Sequence, residues 1–198
     1  MSIFREHTPK RRNITTAVNT YGDHRNDLRI DYKNRCGYCN DFDSFRFTYF
    51  ELDHFIPQKK DKKPFLTIKS NTDYSNLVYS CKACNNSKSN KWPTNDENVP
   101  NRNNEGFIDP CDDDYNNHFG RTNLGRITHK TKIGEWKYNN LKFYKPQHEI
   151  IWNIEELEKL IIEIKALKVI APDDNRVKDL LISVYDEFYD YLNKLFKL

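Results

Sequence analysis

The clearest hydrophobic rhythm lies in the last quarter of the chain. From Pro146 onward, apolar residues fall at Ile150, Ile151, Ile154, Leu157, Leu160, Ile161, Ile164 and Leu167. That i, i+3, i+4 spacing predicts an amphipathic helix, and Pro146 suits its first turn. Ala171-Pro172-Asp173-Asp174 interrupts the pattern and offers an N-cap. Beyond it a second helix is expected, with Val177, Leu180, Leu181, Val184, Phe188, Tyr191, Leu192 and Leu195 on one face. The short break between them predicts an antiparallel helical hairpin. The front of the chain is less regular. A short helix is expected over residues 23–34, with Leu28, Tyr32 and Ile30 turned inward. Phe45-Arg46-Phe47-Thr48-Tyr49-Phe50-Glu51-Leu52 and Asn76-Leu77-Val78-Tyr79-Ser80 read as strands. A helix should begin near Lys82 and stop before Pro93. Residues 94–125, rich in Asn and Asp and without periodicity, read as loop.

Composition narrows the classes. The chain has 198 residues, enough for one medium domain or two small ones. Twelve Tyr, twelve Phe and three Trp supply the bulky core material that disordered chains lack. No run of 18 apolar residues exists, which excludes a membrane-spanning helix. The start, Met1-Ser2-Ile3-Phe4-Arg5-Glu6-His7, has no apolar stretch of a secretory signal, and a cytoplasmic protein is expected. The net charge of +3 is unevenly spread: residues 1–100 carry 17 Lys and Arg against 12 Asp and Glu. An anionic partner is better suited to that half, although a surplus of this size does not by itself identify nucleic acid.

The cysteines say more. Four of the five form two Cys-x-x-Cys pairs, Cys36/Cys39 and Cys81/Cys84. Without an export signal, two such pairs point to one tetrahedral structural zinc ion rather than to disulfides. Redox Cys-x-x-Cys motifs usually come singly on a βαβ frame, and no such frame surrounds these. Cys111 is left over and reads as a core or half-exposed thiol.

Between the pairs lie 41 residues, too many for a compact zinc ribbon. They contain Asp53-His54-Phe55-Ile56-Pro57 and Asn76-Leu77-Val78, and Asn85-Asn86-Ser87-Lys88 follows the last cysteine. Asp53 offers a hard oxygen, His54 a neutral imidazole and Asn85 an amide carbonyl. Lys88 lies three residues beyond Asn85, on the same face of the expected helix, and suits a phosphate. Adjacent strand residues point to opposite faces, so Asp53 and His54 serve one site only where the strand ends or twists. Taken singly, each residue has a bland reading, His54 as a packed core histidine and Asn85 as a helix cap. Their order and spacing together favour a phosphodiester hydrolysis site.

From Asp31 to Pro93 the order Cys-x-x-Cys, Asp-His-x-x-Pro, Asn-Leu-Val, Cys-x-x-Cys-Asn-x-x-Lys resembles the HNH endonucleases of the ββα-metal type with a zinc frame. The resemblance implies Cys36, Cys39, Cys81 and Cys84 as zinc ligands and His54 as the general base. It implies Asp53 and Asn85 as ligands of a catalytic Mg²⁺ or Mn²⁺, and Asn76 as a support of the loop that holds the base. Asn85 stands where the family commonly has histidine. This H-N-N variant is similar to the HNH domain of the RNA-guided CRISPR nuclease, and loss of an imidazole favours harder ions. Lys82, Lys88 and Lys91 would line the phosphate path, whereas the Lys59–Lys63 tract reads as a solvated loop.

The fold expected is therefore α+β: a ββα-metal HNH unit in 1–100, a loop-rich bridge in 101–145 and the helical hairpin in 146–198. The implied activity is hydrolysis of DNA to 5′-phosphate and 3′-hydroxyl ends. RNA, including tRNA, is the alternative substrate, and a non-catalytic zinc-stabilised nucleic-acid-binding module is the competing class. Such a module has no need of Asp53, His54, Asn76 and Asn85 together. The stretch Gly106-Phe107-Ile108-Asp109-Pro110-Cys111, Trp136 and the hairpin are similar to free-standing bacterial HNH proteins, several of them beside an ATPase or sensor in anti-phage defence operons. That implies a defence effector with a protein partner, and an oligomer through the C-terminal helices.

Overall fold

Two strands of four residues each organise the front of the molecule. In the computed structural model, which describes residues 3–45 and 49–197, β1 (Glu51–His54) pairs antiparallel with β2 (Leu77–Ser80). The register is Glu51 to Ser80, Leu52 to Tyr79, Asp53 to Val78 and His54 to Leu77. β1 starts later than the aromatic run predicts. Phe45 closes a short 3-10 turn, Tyr49 is exposed, and Arg46, Phe47 and Thr48 lie outside the described residues. The ladder has a physical limit at this end. Cys81 leaves β2 to cap the next helix, so β2 offers no pairing partner to residues before Glu51.

Helix α1 (Arg25–Asp31) buries Leu28 and is followed by buried Tyr32, while Ile30, expected inward, is 64% exposed. Helix α2 (Lys82–Lys88) is shorter than the stretch up to Pro93, because Ser89 takes a left-handed φ of 49° and ends it. The first cysteine turn lies close on β2, with the Gly37 N–H donating to the Tyr79 carbonyl at 2.8 Å. A Cβ at Gly37 would stand 2.5 Å from the Tyr32 ring and 2.9 Å from Val78, so that approach requires glycine. The lysine tract is a tight ribbon, Lys59–Lys60 against Lys63–Pro64, turned by Asp61 and Lys62 at φ 51° and 66°.

Residues 101–145, expected as a loop-rich bridge, contain short strands, a 3-10 segment (Asp113–His118) and helix α3 (Lys132–Leu141). Their aromatics complete the core formed with residues 4–92. Phe107 packs edge-on to Trp136 at 5.3 Å and stacks with Trp92, and Phe119 meets Phe4, Tyr115 and Phe143. The chain divides into two compact units, Met1–Thr122 with Ile127–Tyr144 and Asn123–Arg126 with Lys145–Leu198.

In the second unit, α4 (Pro146–Ile170) and α5 (Asn175–Phe196) follow the predicted boundaries. Pro146 occupies the first turn of α4, and the Asp174 side chain caps α5 by accepting from the Arg176 N–H at 2.9 Å. Leu157, Ile161, Ile164 and Val184 form a shared core, with Val177, Leu181, Phe188 and Tyr191 packed on it. Leu160, Leu167 and Leu180 lie at the exposed margins of the predicted stripes. Among the described residues no helix is long and apolar enough to cross a membrane.

Candidate functional site

Cys36, Cys39, Cys81 and Cys84 are all buried, and their sulfurs lie within 4.8 Å of one another. The Cys39 and Cys81 sulfurs are 3.7 Å apart. Zn–S bonds of about 2.3 Å in a tetrahedron place sulfurs about 3.8 Å apart, so the donor set fits zinc in kind and in size. Burial also pushes the Cys39 and Cys84 thiols well up. Four thiolates in so dry a pocket need a cation, which a zinc ion would supply. The two turns come from distant sequence and are brought together by the β1–β2 ladder, against which both lie.

On β1, Glu51 and Asp53 share one face by strand alternation, and that face meets α2. Asp53 is 7% exposed and engaged on both oxygens. Its Oδ2 accepts from the Tyr38 hydroxyl at 2.5 Å and lies 3.1 Å from the Lys88 ammonium, whose hydrogen bond to Oδ1 is 3.3 Å. Burial pushes the Asp53 carboxyl above the usual carboxylate range, against the opposing pull of Lys88 and the Tyr38 hydroxyl. Burial and the Asp53 charge push the Tyr38 hydroxyl well up, so it stays a proton donor. The second rung of the interface joins Asn85 to Glu51, with Nδ2 donating to Oε2 at 2.7 Å.

Lys88, expected to face a phosphate, has no exposed surface at all. Its ammonium donates to the His54 carbonyl at 2.8 Å as well as to Asp53. The helix turns Lys88 inward because Asn85 and Lys88 share the face packed on β1. Lys82 is exposed, and Lys91 is exposed with its ammonium donating to the Asn140 carbonyl at 3.2 Å.

His54 ends β1, where the chain leaves the ladder. Its Nε2 lies 2.8 Å from the Asn71 carbonyl and 3.4 Å from Gln58 Nε2, and its ring meets Tyr21 edge-on at 4.8 Å. A carbonyl only accepts, so Nε2 carries the proton of the neutral imidazole and Nδ1 keeps a free lone pair. Nδ1 has no hydrogen-bond partner among the described residues. Asn76, 1% exposed, holds the segment after His54: its Oδ1 accepts from the Ile56 N–H at 2.9 Å and its Nδ2 donates to the Ile56 carbonyl at 3.1 Å. The Asn76 backbone carbonyl also accepts from the Phe55 N–H at 2.8 Å.

The structure thus gathers Asp53, Asn85 and Lys88 on the β1–α2 interface and Asn76 beneath the loop that follows His54. Several participants are illegible in the motif. Tyr38 lies inside the first cysteine turn and Glu51 two residues before Asp53; strand alternation signals only the latter. Arg121 and Lys137 are fully buried near the cysteine turns, Arg121 donating to the Cys39 carbonyl at 3.1 Å and Lys137 to the Ile108 carbonyl at 3.0 Å. Burial holds the Lys137 amine well below its ordinary value, and its ammonium lies 3.8 Å from the Tyr115 ring centre.

As a donor set, the Asp53 carboxylate and the Asn85 carbonyl fit a hard divalent ion such as Mg²⁺ or Mn²⁺. Ligation through Asp53 would require Lys88 or Tyr38 to yield one oxygen. Residues 36–91 match the family model of the HNH endonuclease, a little over a quarter of the chain. Neither curated proteins nor solved structures provide a match.

Proposed function

We propose, from the HNH endonuclease match over residues 36–91, that the first unit hydrolyses phosphodiester bonds with His54 as general base. The observation that carries this reading is the His54 Nε2 contact with the Asn71 carbonyl, which leaves Nδ1 as a base. In the reaction, Nδ1 takes a proton from a water whose oxygen attacks phosphorus in line. The new P–O bond forms as the bond to the 3′ oxygen breaks, leaving 5′-phosphate and 3′-hydroxyl ends. The Asn71 carbonyl stabilises the imidazolium that results, and Asn76 holds Phe55 and Ile56 so that the ring keeps its place. Asp53 and Asn85 would hold Mg²⁺ or Mn²⁺, which supplies charge neutralisation at the phosphate and the leaving oxygen.

The cysteine cluster supports this centre without entering the chemistry, since it sets the turn that carries Tyr38 and the start of α2. DNA is the favoured polymer, with RNA the alternative. A purely binding module would have no need of Asp53, His54, Asn76 and Asn85 together. We read 1–100 as the catalytic domain, supported by the core residues of 101–145, and α4 with α5 as an antiparallel hairpin available to a partner or a second copy. The wider role, a cytoplasmic defence effector aimed by an ATPase or sensor, rests on the resemblance to free-standing HNH proteins. The direct test incubates the zinc-loaded protein with plasmid DNA and with total RNA, in Mg²⁺ and in EDTA. Metal-dependent cleavage is expected; a chain that binds either polymer and cuts neither, with its partner present, overturns the catalytic reading.

A further inference from the structure

An asparagine side chain that ligates a cation must present its oxygen, because the amide nitrogen end repels one. Rotation by half a turn exchanges the two ends at little steric cost. Asn85 has its backbone fixed on both sides in α2, its N–H donating to the Cys81 carbonyl at 3.0 Å and its carbonyl accepting from Ser89 at 2.7 Å. Its side chain is the part left to be set. The group facing it is the Glu51 carboxylate, which only accepts hydrogen bonds, so the contact at 2.7 Å must be made by Nδ2. Oδ1 is thereby turned away from Glu51. The geometry also explains why this acceptor comes from position 51. Residues two apart on β1 and three apart on α2 share a face, so the Glu51–Asn85 rung lies beside the Asp53–Lys88 rung. The Asp53–Lys88 rung is buried and neutralised internally, whereas Glu51 and Asn85 are both partly exposed.

We infer that Glu51 is a positioning residue: its carboxylate holds the Asn85 amide so that Oδ1 faces the divalent ion. The inference rests on the proposed role of Asn85 as a metal ligand. Glu51 is not itself required as a ligand, and its charge is not the essential property; an acceptor at that place is.

The test measures Mn²⁺ binding to the zinc-loaded chain by electron paramagnetic resonance, and the Mg²⁺ concentration giving half-maximal plasmid cleavage. Glu51→Gln keeps an oxygen acceptor and should stay within about twofold of the native protein in both. Glu51→Ala should raise both constants about tenfold, the scale on which loss of a group that orients a metal ligand weakens metal binding, with the rate at saturating Mg²⁺ largely retained. Glu51→Met, similar in length and without a strong acceptor, serves the same purpose if alanine loosens the strand end. In an Asn85→Ala background, adding Glu51→Ala should change neither constant further. Unmoved metal constants in Glu51→Ala, or a Glu51→Gln variant as impaired as Glu51→Ala, overturn the positioning role. A native protein that binds no Mn²⁺ and cleaves nothing refutes instead the nuclease reading on which it rests, and the inference with it.

Discussion

The Tyr38 hydroxyl donates to Asp53 Oδ2 across 2.5 Å, linking the first cysteine turn to the carboxylate that precedes the proposed base. The Lys88 ammonium, 3.1 Å from the same oxygen, completes a buried, internally compensated triad. Removing one charge from such a pair strands the other, whereas replacing both by apolar groups does not.

Lys88→Met should therefore destabilise the zinc-loaded protein by about 3–5 kcal/mol, and Asp53→Leu combined with Lys88→Met should restore most of that loss. The penalty should grow with pH. Asp53 has a folded-state pKa already raised by burial, and losing Lys88 raises it further. A group so raised contributes stability that is present below its unfolded value and lost as pH rises through its folded value. Denaturant titrations of native and variant protein across that range check both claims; a pH-independent difference contradicts the second.

Chelation of zinc should unfold the first unit, because binding at a four-thiolate site contributes on the order of 10 kcal/mol to folding. Cys81→Ser should do likewise, since it removes one of the four thiolates while leaving a hydroxyl able to cap α2. Metal analysis should find one zinc per folded native chain. Well-folded protein without zinc would contradict the assignment.

Asn76→Ala leaves the Ile56 N–H and carbonyl without their side-chain partners in a buried place. A cost of about 1–3 kcal/mol is expected, together with loss of cleavage beyond what the unfolded fraction explains. Melting curves paired with initial rates separate the two effects.

His54→Ala should retain zinc, fold and nucleic-acid binding while cleavage falls by about 10² to 10⁴-fold. Equal cleavage with alanine at this position, under activating conditions, rules out the mechanism.

Of the three lysines proposed to meet phosphate, exposed Lys82 is the one whose alanine variant should lower the salt dependence of DNA binding by about one unit of slope. Substituting Lys88 should leave the slope unchanged in whatever fraction stays folded, since its ammonium faces Asp53. Equilibrium binding at several salt concentrations distinguishes them.

Local rules were sufficient wherever one stretch of chain carries its own signal. The apolar period of 146–170 and 175–196, the break at Pro172 and the Asp174 cap set two helices before any tertiary contact is known. Cysteine spacing likewise implies a metal cluster, and the Asp53-His54, Asn76 and Asn85 motif marks the residues of the proposed centre. What the tertiary structure decided depends on residues that contribute one side chain at a time. Phe107, Tyr115, Phe119 and Trp136 enter the core singly from 101–145, leaving no stripe or alternation to read. The direction of Lys88 followed from which face of α2 meets β1, and helical spacing alone leaves that choice open. Tyr38 became visible only when tertiary packing set it against Asp53, and Glu51, which strand alternation places on the Asp53 face, gained its partner Asn85 only through the packing of α2 on β1. Sequence spacing determines which side chains share a face; packing determines what that face meets, because burial and pairing are properties of two surfaces and a linear pattern describes one at a time.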